Sequence, residues 1–294
     1  GGSPSVWNTA MLFFQTVLLL GYGYAHLSVR YLKPQVQIGL HIVIMLAAFA
    51  ALPITLSATW TTPGTHPPVF WLLGLLAVSA GLPFFAISSN APLLQRWFAH
   101  TNHAAADDPY FLYAAGNAGS ILALLAYPTI IEPVLSVQNQ SGGWTGCFVL
   151  LVLMIAVCTA IVWRAEPAPI VTTLQDPQIT WCRRSHWIAL AFVPSSLLLG
   201  VTTHISTDIA ATPLLWVIPL TLYLLTFVFV FARTPILKHA WMVTAQPFLM
   251  ILVAVLLWTN MTFSLWYLLL VLVSFFVTSM VCHGELVLRR PDAE

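Results

Sequence analysis

Residues 144–163 read WTGCFVLLVLMIAVCTAIVW, twenty consecutive positions without a charge, closed by Arg164. A helix rises about 1.5 Å per residue, so this run matches the roughly 30 Å of hydrocarbon in a bilayer. Backbone exposed to lipid must satisfy its hydrogen bonds within its own segment, so such a run predicts a transmembrane helix. A membrane β-barrel would show short segments of alternating polarity instead. That pattern is absent from the sequence.

Working outward, comparable runs occur at about 6–29, 36–57, 69–89, 110–131, 187–206, 213–232, 240–259 and 263–283. With 144–163 they make nine, and the predicted fold class is all-α, a polytopic membrane helix bundle of about nine transmembrane helices. Composition agrees. The chain is 59% hydrophobic and 6% charged, whereas soluble domains are about one-quarter charged. So few charges could not cover a folded surface in water. Prolines punctuate the pattern: Pro4, Pro34, Pro68, Pro109 and Pro235 fall in connections, while Pro83, Pro194, Pro219 and Pro247 fall within or near spans and predict kinks.

The ten Lys and Arg residues fix an orientation. Arg30 and Lys33 follow the first span, Arg96 the third, Arg164, Arg183 and Arg184 the fifth, Arg233 and Lys238 the seventh, and Arg289 and Arg290 the last. The alternate connections hold none. A nine-span chain therefore puts every basic residue on one side, which the positive-inside rule makes cytoplasmic, with the N-terminus outward. The polar stretch 164–186 reads as a cytoplasmic linker between a first bundle, 1–163, and a second, 187–294. It is too short for a core of its own.

A net charge of +1 without a clustered basic face excludes a nucleic-acid partner. Cys147, Cys158, Cys182 and Cys282 form no CxxC pair, so neither a disulfide framework nor a zinc site is implied. No GxSxG, HExxH or P-loop occurs, and no motif requires a cofactor. The chain opens Gly1-Gly2-Ser3-Pro4 without Met, as expected of a processed chain or part of a longer one, and shows no basic signal-peptide start.

Polar groups inside a bilayer are expensive and normally face other helices or a cavity. Asn8, Gln15, Tyr22 and His26 share one face of the first span. In the fourth, Ala115/Gly119 and Gly116/Ser120 are small-xxx-small pairs that predict a close helix contact, with Asn117 bonding a neighbouring backbone. In the sixth, Ser196, Gly200, His204 and Asp208 recur every four residues, so His204 and Asp208 can pair. Glu132 is a second outward carboxylate. His204, Asp208, Glu132, Gln15 and Asn117 are the candidate substrate-binding residues; helix-packing hydrogen bonds explain the same stripes equally simply. His26, His41 and His283, at comparable depth near the cytoplasmic ends, leave open a haem- or quinone-associated redox subunit.

The runs GGSPSVWNTAMLFFQTVLLLGYGYAHL (1–27), GLPFFAISSNAPLLQRWFA (81–99), DPYFLYAAGNAGSILALLAYPTIIEP (108–133), FVPSSLLLGVTTHISTDIAATPLLWVIPLTLYLLTFVFVFAR (192–233) and CHGELVLRRP (282–291) resemble the membrane region of bacterial fused major-facilitator/spermidine-synthase-like proteins. The resemblance covers nearly the whole chain. It implies a bacterial inner-membrane module, preceded in full-length relatives by one more hydrophobic segment. Further membrane segments and a soluble aminopropyltransferase-like domain follow there. Residues up to Glu294 precede that domain, so its nucleotide- and polyamine-binding positions have no counterpart among them. The connection Arg30–Pro34 also lacks the GxxxD-R-x-G-R pattern of major-facilitator loops. The function expected is a transporter-like or anchoring module for a small cationic metabolite, or alternatively a structural subunit of a larger membrane complex. Its partners would be the lipid bilayer and other membrane subunits or the rest of the polypeptide.

Overall fold

The computed structural model describes residues 4–54, 69–101, 103–106, 108–164, 180–205, 215–232, 236–259 and 265–289. Among them all nine expected spans are helices. They are α1 (Pro4–Tyr31), α2 (Pro34–Ala47, continued as a 3₁₀ turn Ala48–Ala51), α3 (Val69–Ala99), α4 (Phe111–Val134) and α5 (Val137–Arg164). Then come α6 (Trp181–His204), α7 (Val217–Val230), α8 (His239–Trp258) and α9 (Leu265–Leu288). All but α7 are long and apolar enough to cross a bilayer. Large apolar side chains such as Leu19, Phe70, Leu122, Leu153, Phe192 and Phe248 stand exposed. His41, Ser89, Thr226, Ser279 and His283 are fully buried. Apolar outside and polar inside is the arrangement a lipid solvent selects. The chain is a multi-pass membrane protein.

Proline chemistry shapes the helices. Pro34 opens α2 at its first turn, where the missing N–H would have no partner anyway. Pro219 likewise sits in the first turn of α7 rather than kinking its middle. Pro83 and Pro133 act differently. A proline at position i lacks its N–H and crowds the carbonyl of i−4. In α3 a π-turn at Ala77–Gly81 ends two residues before Pro83, and in α4 another at Tyr127–Ile131 ends two residues before Pro133. Each i−4 residue is a hydroxyl that donates back four residues, Ser79 to the Leu75 carbonyl (2.7 Å) and Thr129 to that of Leu125 (2.6 Å). The widened turn takes up the crowding. Pro92 leaves α3 continuous to Ala99, ten residues beyond its expected end at 89.

Contacts divide the chain into two units, one of Gly1–Pro109 with Val134–Pro169, the other of Tyr110–Pro133 with Ile170–Glu294. The division differs from the two bundles expected along the sequence, because α4 packs on α7. Chain order is only a default guide to which helices are neighbours.

In the first unit, α1 lies along α3, and α2 packs on α3 and α5. Ala25, Ile38, Leu93 and Trp97 form one apolar cluster, and Met45, Ala48, Ala86, Phe148 and Ile155 another. Gly21 sets the α1–α3 approach: a Cβ there would collide with the Ser88 hydroxyl. In the second unit α9 is central, packed on α6, α7 and α8.

The small residues of α4 do not make the close contact expected of them. A Cβ at Gly116 or Gly119 would meet nothing within 4 Å. Their spacing is right for helix approach, but no described helix approaches this face of α4. Gly119→Leu is therefore expected to cost no stability and can gain up to about 1 kcal/mol, since glycine is a poor residue for a helix interior, read as an unfolding midpoint in detergent that does not fall.

Candidate functional site

Of the residues expected to bind substrate, Gln15 points away from the core of its unit. The buried face of α1 carries Thr9, Phe13, Gly21, Ala25 and Ser28 instead. Tyr22 and His26, on the expected stripe, are exposed with Gln15, since one residue turns a helix by about 100°. Glu132 is exposed beyond the π-turn of α4. Asn117 donates to the Tyr113 carbonyl of its own helix (2.8 Å) rather than to a neighbour. His204 ends α6 and bonds through Nε2 to the Tyr267 hydroxyl of α9 (2.9 Å), their rings edge to face at 5.7 Å. Asp208 and the side chain of Asn8 lie outside the described residues.

Two buried polar centres, one in each unit, carry the remaining chemistry. In the first, His41 on α2 bonds through Nε2 to the Asn90 Oδ1 of α3 at 2.7 Å. An amide oxygen only accepts, so Nε2 carries the proton and Nδ1 keeps a lone pair. That Nδ1 is buried without a partner, as is the hydroxyl of Tyr24, whose ring stacks on the imidazole at 6.2 Å. Beside them the Trp97 indole donates to Gln37 Oε1 (3.3 Å), and Gln37 Nε2 to the Leu32 carbonyl (2.8 Å).

In the second unit, the polar centre lies along the later half of α9, with Tyr267 near its start. Its buried face carries Tyr267, Ser274, Thr278, Ser279 and His283. Thr226 of α7 donates its single hydroxyl proton to the Tyr223 carbonyl (2.6 Å), so the 2.8 Å bond to His283 must run from Nδ1–H to Thr226. His283 Nε2 then holds a lone pair, buried and unpartnered, while its ring lies 4.1 Å from that of Phe227. The Ser195 hydroxyl donates to the Ala191 carbonyl (2.8 Å), so Tyr223 donates to Ser195 across 3.2 Å. Ser274 and Thr278 both reach the Met250 sulfur, at 3.7 and 3.9 Å.

Ionisable groups close both ends of this face. At one end are Tyr267 and His204. At the other, Glu285 accepts from His239 Nε2 (3.0 Å) and from Arg289 (2.8 Å). Gly284 permits that end to form, for a Cβ on it would run into the His239 ring. Comparison with known proteins returns no matching family model, curated relative or solved structure.

Most of the residues in these centres, Asn90, Thr226, Ser279, Tyr267, His239 and Glu285 included, were not among the sequence candidates. Asn90 ends the run Ser88-Ser89-Asn90, three polar residues in succession within an apolar helix, which was the available signal. Thr226 and Ser279 gave none beyond their polarity. Among the described residues no cluster of three His, Cys, Asp or Glu side chains could hold a metal. His26 is exposed, and one nitrogen of His41 and one of His283 is already engaged.

Proposed function

We propose that the chain is a transporter-like membrane module that passes a small cationic solute along the polar face of α9. The single observation behind this reading is the row of buried polar side chains on that helix, Ser274, Thr278, Ser279 and His283. Tyr267 and His204 lie beyond buried Val271 at one end, and Glu285 and His239 at the other. Eighteen residues of helix separate Tyr267 from Glu285, about 27 Å at the α-helical rise, close to the thickness of the hydrocarbon layer. A buried polar row in lipid marks either interhelical hydrogen bonding or a solute pathway. Glu285 supplies a carboxylate at one end, and in the sequence Asp208 follows His204 by four positions. The resemblance to fused major-facilitator/spermidine-synthase-like proteins favours the same solute class.

Proteoliposomes containing the full chain, loaded with a panel of radiolabelled mono-, di- and polyamines, test it. Wild type should accumulate at least one of them, and Glu285→Gln and Asp208→Asn should drop to the empty-vesicle level while remaining folded. Folded wild type that moves none of the panel would sink the reading.

The orientation belongs to the same proposal. Within the first unit Arg30, Lys33, Arg96 and Arg164 all belong to the end where Trp97 meets Gln37 and Val162 joins the Ala25 cluster. Within the second, Arg183, Arg184, Lys238 and Arg289 gather where α6 and α8 begin and α9 ends. These ends face the cytoplasm under the positive-inside rule. In a chain cleared of its native cysteines, Cys substituted for Ser141 should label from outside only and for Gln175 from inside only. Labelling of both from one side contradicts the orientation.

A specific observation favours a second reading as a structural subunit. Ala115, Gly116, Gly119 and Ser120 present an exposed small-residue face on α4, the kind of surface that packs on another helix.

A further inference from the structure

The basic end of the second unit holds a groove of about 450 Å³. Its walls are Tyr110 and Tyr113 at the start of α4, Trp187 and Ile188 on α6, and Phe227 and Phe231 at the end of α7. The aromatic rings brace one another: Phe227 and Phe231 stack at 6.0 Å, and Tyr113 lies 5.5 Å from Phe231. The space equals on the order of fifteen water volumes, yet its lining offers almost nothing for water to bond.

One turn up the same face of α6 stand Arg183 and Arg184, at i−4 from Trp187 and Ile188. Each guanidinium lies over an indole, Arg183 over Trp187 at 5.1 Å and Arg184 over Trp181 at 5.2 Å. Arg183 also donates to the Arg289 carbonyl at 3.1 Å. Neither arginine pairs with a carboxylate among the described residues, whereas Arg289 nearby is matched by Glu285. Both cations occupy the first turn of a 24-residue helix that has no acidic residue there. That is the positive end of the helix dipole, where a basic side chain is repelled and an anion is favoured. The site therefore carries excess positive charge directly above an apolar slot, at the end of the bundle where membrane meets water.

We infer that this site binds an anionic phospholipid, its phosphate on Arg183 and Arg184 and one acyl chain in the aromatic groove. The indoles hold the guanidiniums flat and ready, as interfacial tryptophans do. The phosphate supplies a counter-charge that no carboxylate among the described residues provides. This inference is independent of the transport reading.

Native mass spectrometry of the full chain in a neutral detergent, titrated with phosphatidylglycerol or phosphatidylcholine of identical chains, reads it out. Phosphatidylglycerol should bind roughly thirtyfold more tightly, from two basic groups on one anionic headgroup. Arg183→Gln with Arg184→Gln should bring the two lipids to near equality. Ala191→Phe, which fills the groove, should weaken both while keeping the preference. Glycerol phosphate should compete poorly. Equal binding of the two lipids by wild type overturns the inference without relying on any variant. Competition by glycerol phosphate as strong as by the lipid would reduce the site to an anion site and overturn the acyl-chain half. An Ala191→Phe chain that binds phosphatidylglycerol like wild type does the same.

Discussion

Gly284→Ala should destabilise the second unit by about 1–3 kcal/mol, the usual cost of forcing a methyl into a filled space. The added Cβ would collide with the His239 imidazole, coming within 2.8 Å of its Cε1. That ring is not free to swing aside, because its Nε2 is held by Glu285 one residue further along α9. Relief by rotation would break that bond and leave Glu285 with Arg289 alone. The His239→Ala background removes the obstacle. There the same Gly284→Ala change should cost nothing and can gain up to about 1 kcal/mol, since alanine suits a helix interior better than glycine. Unfolding midpoints of the four proteins in one detergent close the cycle. Equal cost of Gly284→Ala in both backgrounds would mean that the two helices do not meet there.

The contrast between Gly284 and Gly119 shows what one sequence can and cannot convey. Span length and the absence of charge are properties of a segment alone, so residues 144–163 announced a helix without reference to any neighbour. All nine spans were legible for that reason. Depth along a span was legible too, which is why His41 and His283 attracted notice. Direction around the helix axis depends on which helix stands opposite, and that is a tertiary fact. His26 matched His41 and His283 in depth, yet it is exposed while they are buried. Gly119 sits in a good small-xxx-small pattern without an approaching helix, whereas Gly284, in no such pattern, meets the His239 ring, and Gly21, paired with Ala25 at the same spacing, does meet a helix. Asn90 was lost for a local reason: ending the third span at 89 put it in a connection, and the helix in fact runs through it to Ala99.

Asn90→Leu is expected to cost about 1–3 kcal/mol, although leucine is the more comfortable residue in an apolar interior. The His41 ring is fully buried, its Nε2–H has Asn90 Oδ1 as acceptor, and its Nδ1 has no partner at all. Removing the amide leaves both ring nitrogens unsatisfied, and the full desolvation penalty of a stranded donor is then felt. Replacing both members, as His41→Leu with Asn90→Leu, strands nothing and should return stability close to that of wild type. Membrane hydrogen bonds average nearer about 0.6 kcal/mol when whole pairs are compared, because the unfolded chain in lipid also finds partners. The single and double variants therefore separate two quantities, the cost of an orphaned donor and the net contribution of the pair. A double variant as unstable as the single one would show that His41 contributes by its shape against Tyr24 and Trp97, whose rings lie 6.2 and 5.9 Å away. In that case the bond to Asn90 would not be what holds α2 on α3 at this depth.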